Sequence, residues 1–268
     1  MHGGRMNRGI CHFCGQQSEL RNSHAIPRSF IRDISRQDSG KMVHLSSGNE
    51  PAKRLGDRSQ DRLLCHECEQ TFGDNFDRPL KELFAELRRK YRAGESHLIL
   101  CDGAKIKNAI ASVLWRAAIS NAEYYKGFKP PRTIVETLRE DVSRMENFSF
   151  SYRIQPIFDP NSASEGGLDD GAIDTFLLTP RIWGARSGFR GRQKTRTGMI
   201  FIMGGVVVDV IEKLSKSRER KLGHLTNEES HISLRATNLW EIPAVKEFLR
   251  WAVWKEHNPD FIDKFNSA

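Results

Sequence analysis

The 268-residue sequence lacks any run of about 18 consecutive apolar residues, so it predicts no transmembrane helix. Residues 1–10 contain glycine, arginine and histidine without an apolar stretch, so no secretory signal peptide is expected there. We therefore expect a protein of the cytoplasm that has no membrane partner.

Cysteine is scarce, and its spacing is informative. Four of the five cysteines form two C-x-x-C pairs, Cys11 with Cys14 and Cys65 with Cys68. Cytoplasmic thiols stay reduced, and two residues between thiols suit a single tetrahedral ion, so the pattern predicts a structural Zn²⁺ ion instead of disulfides. The lone Cys101 lies in an apolar stretch, and we expect it to act as a small buried hydrophobic residue.

Positive charge exceeds negative charge, with 42 Lys and Arg against 34 Asp and Glu, which gives a net charge of +8. This excess favours polyanionic partners, nucleic acid first. One glycine-rich stretch holds six cations, two aromatic residues and no acid. We interpret it as a nucleic-acid-binding loop between strands, with a solvated loop as the alternative. Its cations are Arg181, Arg186, Arg190, Arg192, Lys194 and Arg196.

The apolar periodicity predicts an α+β protein. We expect a zinc-knuckle module in residues 1–95, then a region of helices and antiparallel sheet in residues 96–268 that serves nucleic-acid binding or oligomerisation. The predicted helices follow the second knuckle, span 79–91, start at Lys105, span 133–145 and start near Val245. The predicted strands lie at 42–45, 148–154, 175–178, 198–203, 205–210 and 231–235, with a long loop over 38–61 and a turn at 204–205.

The segment Ser23-His24-Ala25-Ile26-Pro27 lies between the two cysteine pairs, and a predicted helix follows the second pair. This order resembles the HNH endonuclease family over residues 11–77. Residues 63–69 and Leu114-Trp115-Arg116 are also similar to motifs of a prokaryotic HNH-like group. The resemblance implies a ββα-metal fold that carries His24 on a strand and is held by zinc on the four cysteines.

The resemblance also implies an activity, the metal-dependent hydrolysis of DNA phosphodiester bonds. In that activity His24 would be the general base that takes a proton from water. Mg²⁺ or Mn²⁺ would hold a phosphate oxygen, with Asp74 or Asp77 as a ligand. His12 and His66, inside the knuckles, are expected to have no role in the chemistry. DNA is the expected partner, and a homodimer is in keeping with the family.

Two departures from the family pattern leave other functions open. Ser23 stands where HNH nucleases usually have an aspartate or histidine, and Glu69, Asp74, Asn75 and Asp77 replace the later asparagine and histidine. A second hypothesis is therefore a zinc-stabilised nucleic-acid-binding or regulatory protein without catalysis. A third is a protein–protein adaptor that uses the later sheet and a C-terminal helix with Trp251 and Trp254.

Overall fold

The structure of the chain is a computed structural model. It describes residues 8–37, 43–44, 59–92, 98–144, 146–164, 167–189, 192–225, 229–233, 236–242 and 245. The predicted C-terminal helix beyond Val245, including Trp251 and Trp254, lies outside the described residues, as do Arg190 and most of the predicted loop over 38–61.

A small antiparallel sheet and a helix form the N-terminal part. Strand β1 (Arg8–Ile10) pairs with β2 (Gln17–His24), and β2 pairs with β4 (Gln60–Cys65). Helix α1 (Arg28–Gln37) follows β2, and α2 (His66–Phe72) begins directly after the last residue of β4. The order from β2 through β4 to α2 is therefore two antiparallel strands followed by a helix.

Helix α2 continues without a break into a second helix through a wider turn. The π-helical turn Gly73–Asp77 joins α2 to α3 (Arg78–Arg92). Such a turn inserts one extra residue into an α-helix and is frequent at functional sites. The buried face of α3 carries an apolar stripe at helical spacing, Leu80, Leu83, Phe84 and Leu87.

The later part of the chain is built on a six-stranded mixed sheet of order β11-β6-β9-β8-β7-β3. The four central strands are antiparallel, while β11 and β3 add to the edges in parallel. The strands are β3 (Val43–His44), β6 (Phe150–Phe158), β7 (Phe176–Phe189), β8 (Arg192–Met203), β9 (Val206–Glu212) and β11 (Thr237–Asn238). Strand β5 (Leu98–Asp102) pairs separately with β10 (Glu229–Ser233).

Helix α4 (Gly103–Ile119) lies at the centre of the protein and is buried on nearly every side. It packs against α3 and α5 (Arg132–Ser143). Two short helices, α6 (Asp170–Asp174) and α7 (Lys216–Lys221), complete the α-helices of the described residues. One buried apolar cluster contains side chains from both sides of residue 95, so α4 joins the two halves through a continuous core.

Ion pairs also connect the two halves. The buried Arg88 of α3 places its Nε 2.5 Å from Oδ1 of Asp174 on α6, and Arg92 pairs with the same carboxylate. Arg88 also donates to the backbone oxygen of Ile157 on β6 at 3.0 Å. The division of the chain into domains 1–95 and 96–268 stays a prediction.

The predicted α+β class is confirmed, and so are most of its elements. The helices at 79–91, after Lys105 and at 133–145 correspond to α3, α4 and α5 within two residues. Gly204 and Gly205 form the tight turn between β8 and β9 with φ of 57° and 69°. In the described residues no helix is long and apolar enough to cross a membrane.

The basic stretch around residue 190 was predicted as a loop, and that prediction was wrong. The segments 181–189 and 192–200 belong to β7 and β8, and their register continues as far as Phe189 opposite Arg192. Continuous pairing with a neighbouring strand supplies hydrogen bonds along the backbone, which overrides the loop propensity of its glycines. Arg181, Arg186, Arg192, Lys194 and Arg196 are therefore strand residues of a long hairpin.

A buried polar group lies beneath α7. His224 is only 6% exposed, and neither of its ring nitrogens has a hydrogen-bond partner among the described residues. Burial lowers the pKa of His224 to about 4, the positive charge of Arg153 acts in the same direction, and Glu219 opposes it. The imidazole is therefore neutral in the folded protein at pH 7.

This histidine predicts acid-sensitive stability. Below pH 6.5 the unfolded chain binds a proton at His224 that the folded chain does not bind until about pH 4. At about 1.4 kcal/mol for each pKa unit, the free energy of unfolding should therefore fall over this window by up to about 3 kcal/mol. Urea denaturation at several pH values measures this, and His224→Leu should flatten the decline. The exposed His66→Leu variant is the control, and an equal slope in His224→Leu would contradict the assignment.

Candidate zinc centre and adjoining cleft

The four cysteines of the two C-x-x-C pairs lie together. The sulfur atoms of Cys11, Cys14, Cys65 and Cys68 are all within 4.8 Å of one another. The Cys14 and Cys65 sulfurs are 3.9 Å apart, far from the roughly 2.05 Å of a disulfide. Four thiolates around one Zn²⁺ ion at about 2.3 Å each place their sulfurs at this separation, so the cluster fits the ion.

Local backbone geometry brings each cysteine pair to the centre. The first pair lies in the turn between β1 and β2, where Gly15 adopts φ of 76° and its N–H donates to the Cys11 oxygen at 2.9 Å. The second pair spans the junction of β4 and α2, where the Cys65 N–H donates to the Cys11 sulfur at 3.4 Å. The pairing of β2 with β4 holds the two pairs side by side.

The electrostatics of the cluster favour a bound cation. Burial opposes ionisation of Cys11, but N–H groups of Cys14, Cys65 and Phe13 lower the pKa of its thiol to about 7. Burial and the neighbouring thiols raise the pKa of Cys68 well above its usual range. A cation is therefore needed before all four sulfurs can be thiolates together.

An aromatic cluster joins the four-cysteine cluster to α4. The ring of Phe13, within the first knuckle, meets the edge of Phe72 at 4.9 Å and of Trp115 at 5.7 Å between centroids. Phe72 in turn contacts Phe76 at 5.0 Å. The position of the first knuckle is therefore set by packing on α2 and α4 as well as by its ligands.

His24 is the last residue of β2, and the residues around it fix its position. Ser23 before it is buried, and Ala25, Ile26 and Pro27 after it are buried too. The N–H of Ile26 donates to the hydroxyl of the fully buried Tyr125 at 3.2 Å. Since both flanks are held in the core, the partly exposed His24 side chain extends from a rigid backbone.

His24 lines a cleft of about 380 Å³. One side is formed by His24 and the start of α1, and the other by α2, the π-helical turn and α3. Three cations and two acids contribute to the lining, Arg28, Arg78, Lys81, Glu69 and Asp77. The cleft therefore combines a histidine with cations suited to an anionic ligand.

Both acids of the cleft already bind a protein group. Ser23 donates from Oγ to Oε2 of Glu69 at 2.5 Å. Burial raises the pKa of Glu69, while this hydrogen bond and the positive charge of Arg116 oppose the rise. The residue that departs from the family pattern, Ser23, thus orients a carboxylate instead of offering a metal ligand.

Asp77 is held by Arg116 of α4. Arg116 is 1% exposed, and its two terminal nitrogens donate to the two oxygens of Asp77 at 2.5 and 3.3 Å. The same guanidinium lies over the ring of Phe72 at 5.4 Å and bonds Ser112. Burial opposes the charge of Arg116, but Asp77 raises its pKa, so the guanidinium stays protonated.

The two predicted cation ligands lie in different places. Asp77 lines the cleft, whereas the exposed Asp74 pairs with Arg78 at 2.6 Å and does not line it. Among the described residues, the four cysteines are the only group of three or more acid, histidine or cysteine side chains close enough to share an ion. His24, Glu69 and Asp77 of the cleft therefore do not form a preassembled group of three ligands.

Several residues of the cleft were missed by sequence reasoning. Arg28 and Lys81 show no pattern that separates them from other surface cations. Arg116 was noted only within a motif, although a cation amid the apolar stretch of α4 is a signal of a buried partner. His12 and His66 are exposed and lie outside the cleft lining, and Cys101 is half-buried on β5.

Comparisons with protein-family models, with curated proteins and with solved structures found no match to this chain. The cleft and the thiol cluster are therefore interpreted from their own residues.

The thiol cluster predicts a stoichiometric metal. Protein purified under reducing conditions should contain about one Zn²⁺ per chain, measured by elemental analysis. Cys65→Ser should remove the ion and lower the melting temperature, because zinc binding contributes to folding. Cys101→Ser is the matched control and should keep the ion. Retention of zinc by a Cys65→Ser, Cys68→Ser double variant would contradict the centre.

The buried pair of Arg116 and Asp77 predicts a large effect on stability. Arg116→Met should lower the free energy of unfolding by about 3 kcal/mol, because it leaves the Asp77 carboxylate without its counter-charge. Denaturant unfolding measures this. Arg132→Met is the control, since Arg132 is 92% exposed and its pair with Glu136 should contribute less than about 1 kcal/mol. Equal effects of the two variants would show that the pair has no special role.

Proposed function

We propose that the chain is a zinc-stabilised endonuclease of the HNH type that hydrolyses DNA phosphodiester bonds, with His24 as the general base. The observation that supports this most directly is that His24, at the end of β2, lines one cleft with three cations from α1 and α3. The order of two strands, thiol cluster and helix around that cleft matches the arrangement that the resemblance implies.

The proposed chemistry follows from the groups of the cleft. Arg28, Arg78 and Lys81 bind the phosphate and its neighbours and balance the charge that develops on phosphorus-bound oxygens. Neutral His24 takes a proton from water as the water oxygen attacks phosphorus. The bond from phosphorus to the 3′ oxygen breaks, and that oxygen acquires a proton. The zinc centre fixes the strand and helix and takes no part in the reaction.

A divalent cation belongs to the proposal as the cofactor that the resemblance implies. Glu69 and Asp77 are the carboxylates of the cleft, and they are bonded by Ser23 and Arg116. Mg²⁺ or Mn²⁺ would add charge stabilisation at the phosphate. The role of a cation is therefore decided by comparing activity in these ions and in a chelator.

Plasmid nicking tests the proposed reaction. Supercoiled DNA is incubated with the parent protein in Mg²⁺, in Mn²⁺ and in EDTA, and the relaxed form is quantified on gels. His24→Ala should lower the nicking rate by roughly 100-fold or more, the usual contribution of a general base. His66→Ala is the matched control, an exposed histidine outside the cleft, and should retain the parental rate.

Each variant is first checked for its zinc content and melting temperature. Equal nicking by the parent and His24→Ala would remove His24 from the mechanism. Absence of nicking by the folded, zinc-loaded parent in every ion would overturn the nuclease proposal.

A second function is favoured by the hydrogen bonds of the two acids. Arg116 compensates the charge of Asp77 and Ser23 holds Glu69 by a hydrogen bond, while Arg28, Arg78 and Lys81 give the lining three cations against two acids. Such a cleft suits a protein that binds DNA without cutting it. This alternative predicts DNA affinity that falls steeply with salt and is lost in a combined Arg28→Ala, Lys81→Ala variant, without cleavage in any ion.

A further inference from the structure

A second cavity lies in the strand-rich half of the chain, on the face of the large sheet near β11. Its volume is about 200 Å³, below the roughly 300 Å³ at which pockets for drug-sized ligands begin. Strands β6, β7, β8 and β9 form its floor, and Glu241 and Ile242, at the end of the 3₁₀ turn Leu239–Glu241, line another side. A cavity of this size suits a single small planar group.

One wall of the cavity is the indole of Trp183, which is held flat on the sheet. Gly198 lies directly opposite Trp183 in the pairing of β7 with β8. A Cβ atom at Gly198 would lie 2.7–2.8 Å from three atoms of the indole, so the ring rests against the glycine backbone. The indole Nε1 donates to Oδ1 of Asp209 on β9 at 3.1 Å. The aromatic wall is therefore fixed before any ligand binds.

Polar groups at the cavity have a definite donor and acceptor pattern. Asp209 accepts from Trp183 and from Arg153 at 2.7 Å, which uses both of its oxygens. The Nε of Arg153 is buried and has no hydrogen-bond partner among the described residues, so one donor remains. Glu241 is exposed and provides a carboxylate. Gln155 and Thr237 add further polar groups, and the apolar side chains of Ile200, Val207 and Ile242 complete the lining.

We propose that this cavity binds a guanine base. An aromatic wall and an apolar floor suit the faces of a planar ring, and stacking on such a wall stabilises a bound base. The guanine edge places the acceptor O6 beside the donors N1–H and N2–H₂. A guanidinium donor and a carboxylate can bind these groups together, and the cavity lining supplies both in Arg153 and Glu241, whereas thymine offers no adjacent pair of donors to a carboxylate.

The position of the cavity indicates single-stranded DNA as the source of the base. Trp183 lies on β7 at the base of the hairpin whose strands carry Arg186, Arg192, Lys194 and Arg196. Cations along a strand pair supply phosphate contacts, while a pocket at its base reads one nucleotide. The inference does not depend on cleavage at His24, because the cavity and the cleft are lined by different residues.

Fluorescence anisotropy with labelled oligonucleotides tests the inference. The protein is used as His24→Ala in EDTA, so that the result is independent of cleavage. A short oligothymidine with one central guanine should bind roughly tenfold or more tightly than the same strand with thymine throughout. Trp183→Ala should abolish this difference. Trp240→Ala is the matched control, a partly exposed tryptophan outside the cavity lining, and should keep it.

A second variant tests the inference without changing the buried contacts of Trp183. Glu241→Gln changes an exposed side chain and should reduce the preference for guanine over inosine, which lacks the N2 amino group. If free GMP displaces the guanine oligonucleotide from the parent protein but not from Trp183→Ala, a single guanine nucleotide is enough for binding. If GMP does not displace it, the cavity binds guanine only as part of a strand. Equal affinity of the parent for the guanine and thymine strands would overturn the inference, as would an unchanged preference in Trp183→Ala.

Discussion

The convergence of four thiols from two distant segments is the constraint on which the N-terminal half depends. Cys14 and Cys65 are 51 residues apart in the chain, and their sulfurs lie 3.9 Å apart in the fold. Closing so long a segment costs conformational entropy, which a metal bound by the four thiols would offset. The cluster holds the turn between β1 and β2 against the start of α2. The end of β2 and helix α2 therefore lie on opposite sides of one cleft.

Charge compensation connects this cleft to the rest of the protein. Arg116 belongs to the central helix α4, and Asp77 belongs to the turn beside the cleft. A guanidinium in the core therefore fixes the position of a carboxylate that lines the cleft. Ser23 does the same for Glu69 from the neighbouring strand. A residue beyond residue 95 therefore fixes one acid of the cleft, whose lining holds three cations and two acids.

Local patterns in the sequence predicted much of the fold and part of the candidate site. Helices α3 and α4 follow from apolar spacing alone, and the thiol cluster follows from the two C-x-x-C pairs, because these depend on neighbours in sequence. The long hairpin of β7 and β8 was not predicted, because the pairing between its strands outweighs the loop propensity of its glycines and charged residues. The places of Arg28 and Lys81 in the cleft, and the identity of the partner of Arg116, were not predicted for a similar reason: they depend on residues that are distant in the chain.

The π-helical turn Gly73–Asp77 accommodates one residue more than regular α-helical winding would take. Because the wider turn absorbs that residue, the apolar stripe of α3 still faces the core, with Leu80, Leu83, Phe84 and Leu87 buried. The extra residue lies where Gly73 and Asp77 line the cleft, so the irregular backbone falls at the cleft and not in the packing of α3. The shape of this part of the wall is therefore set by the number of residues in the turn, which no pattern of side chains reveals.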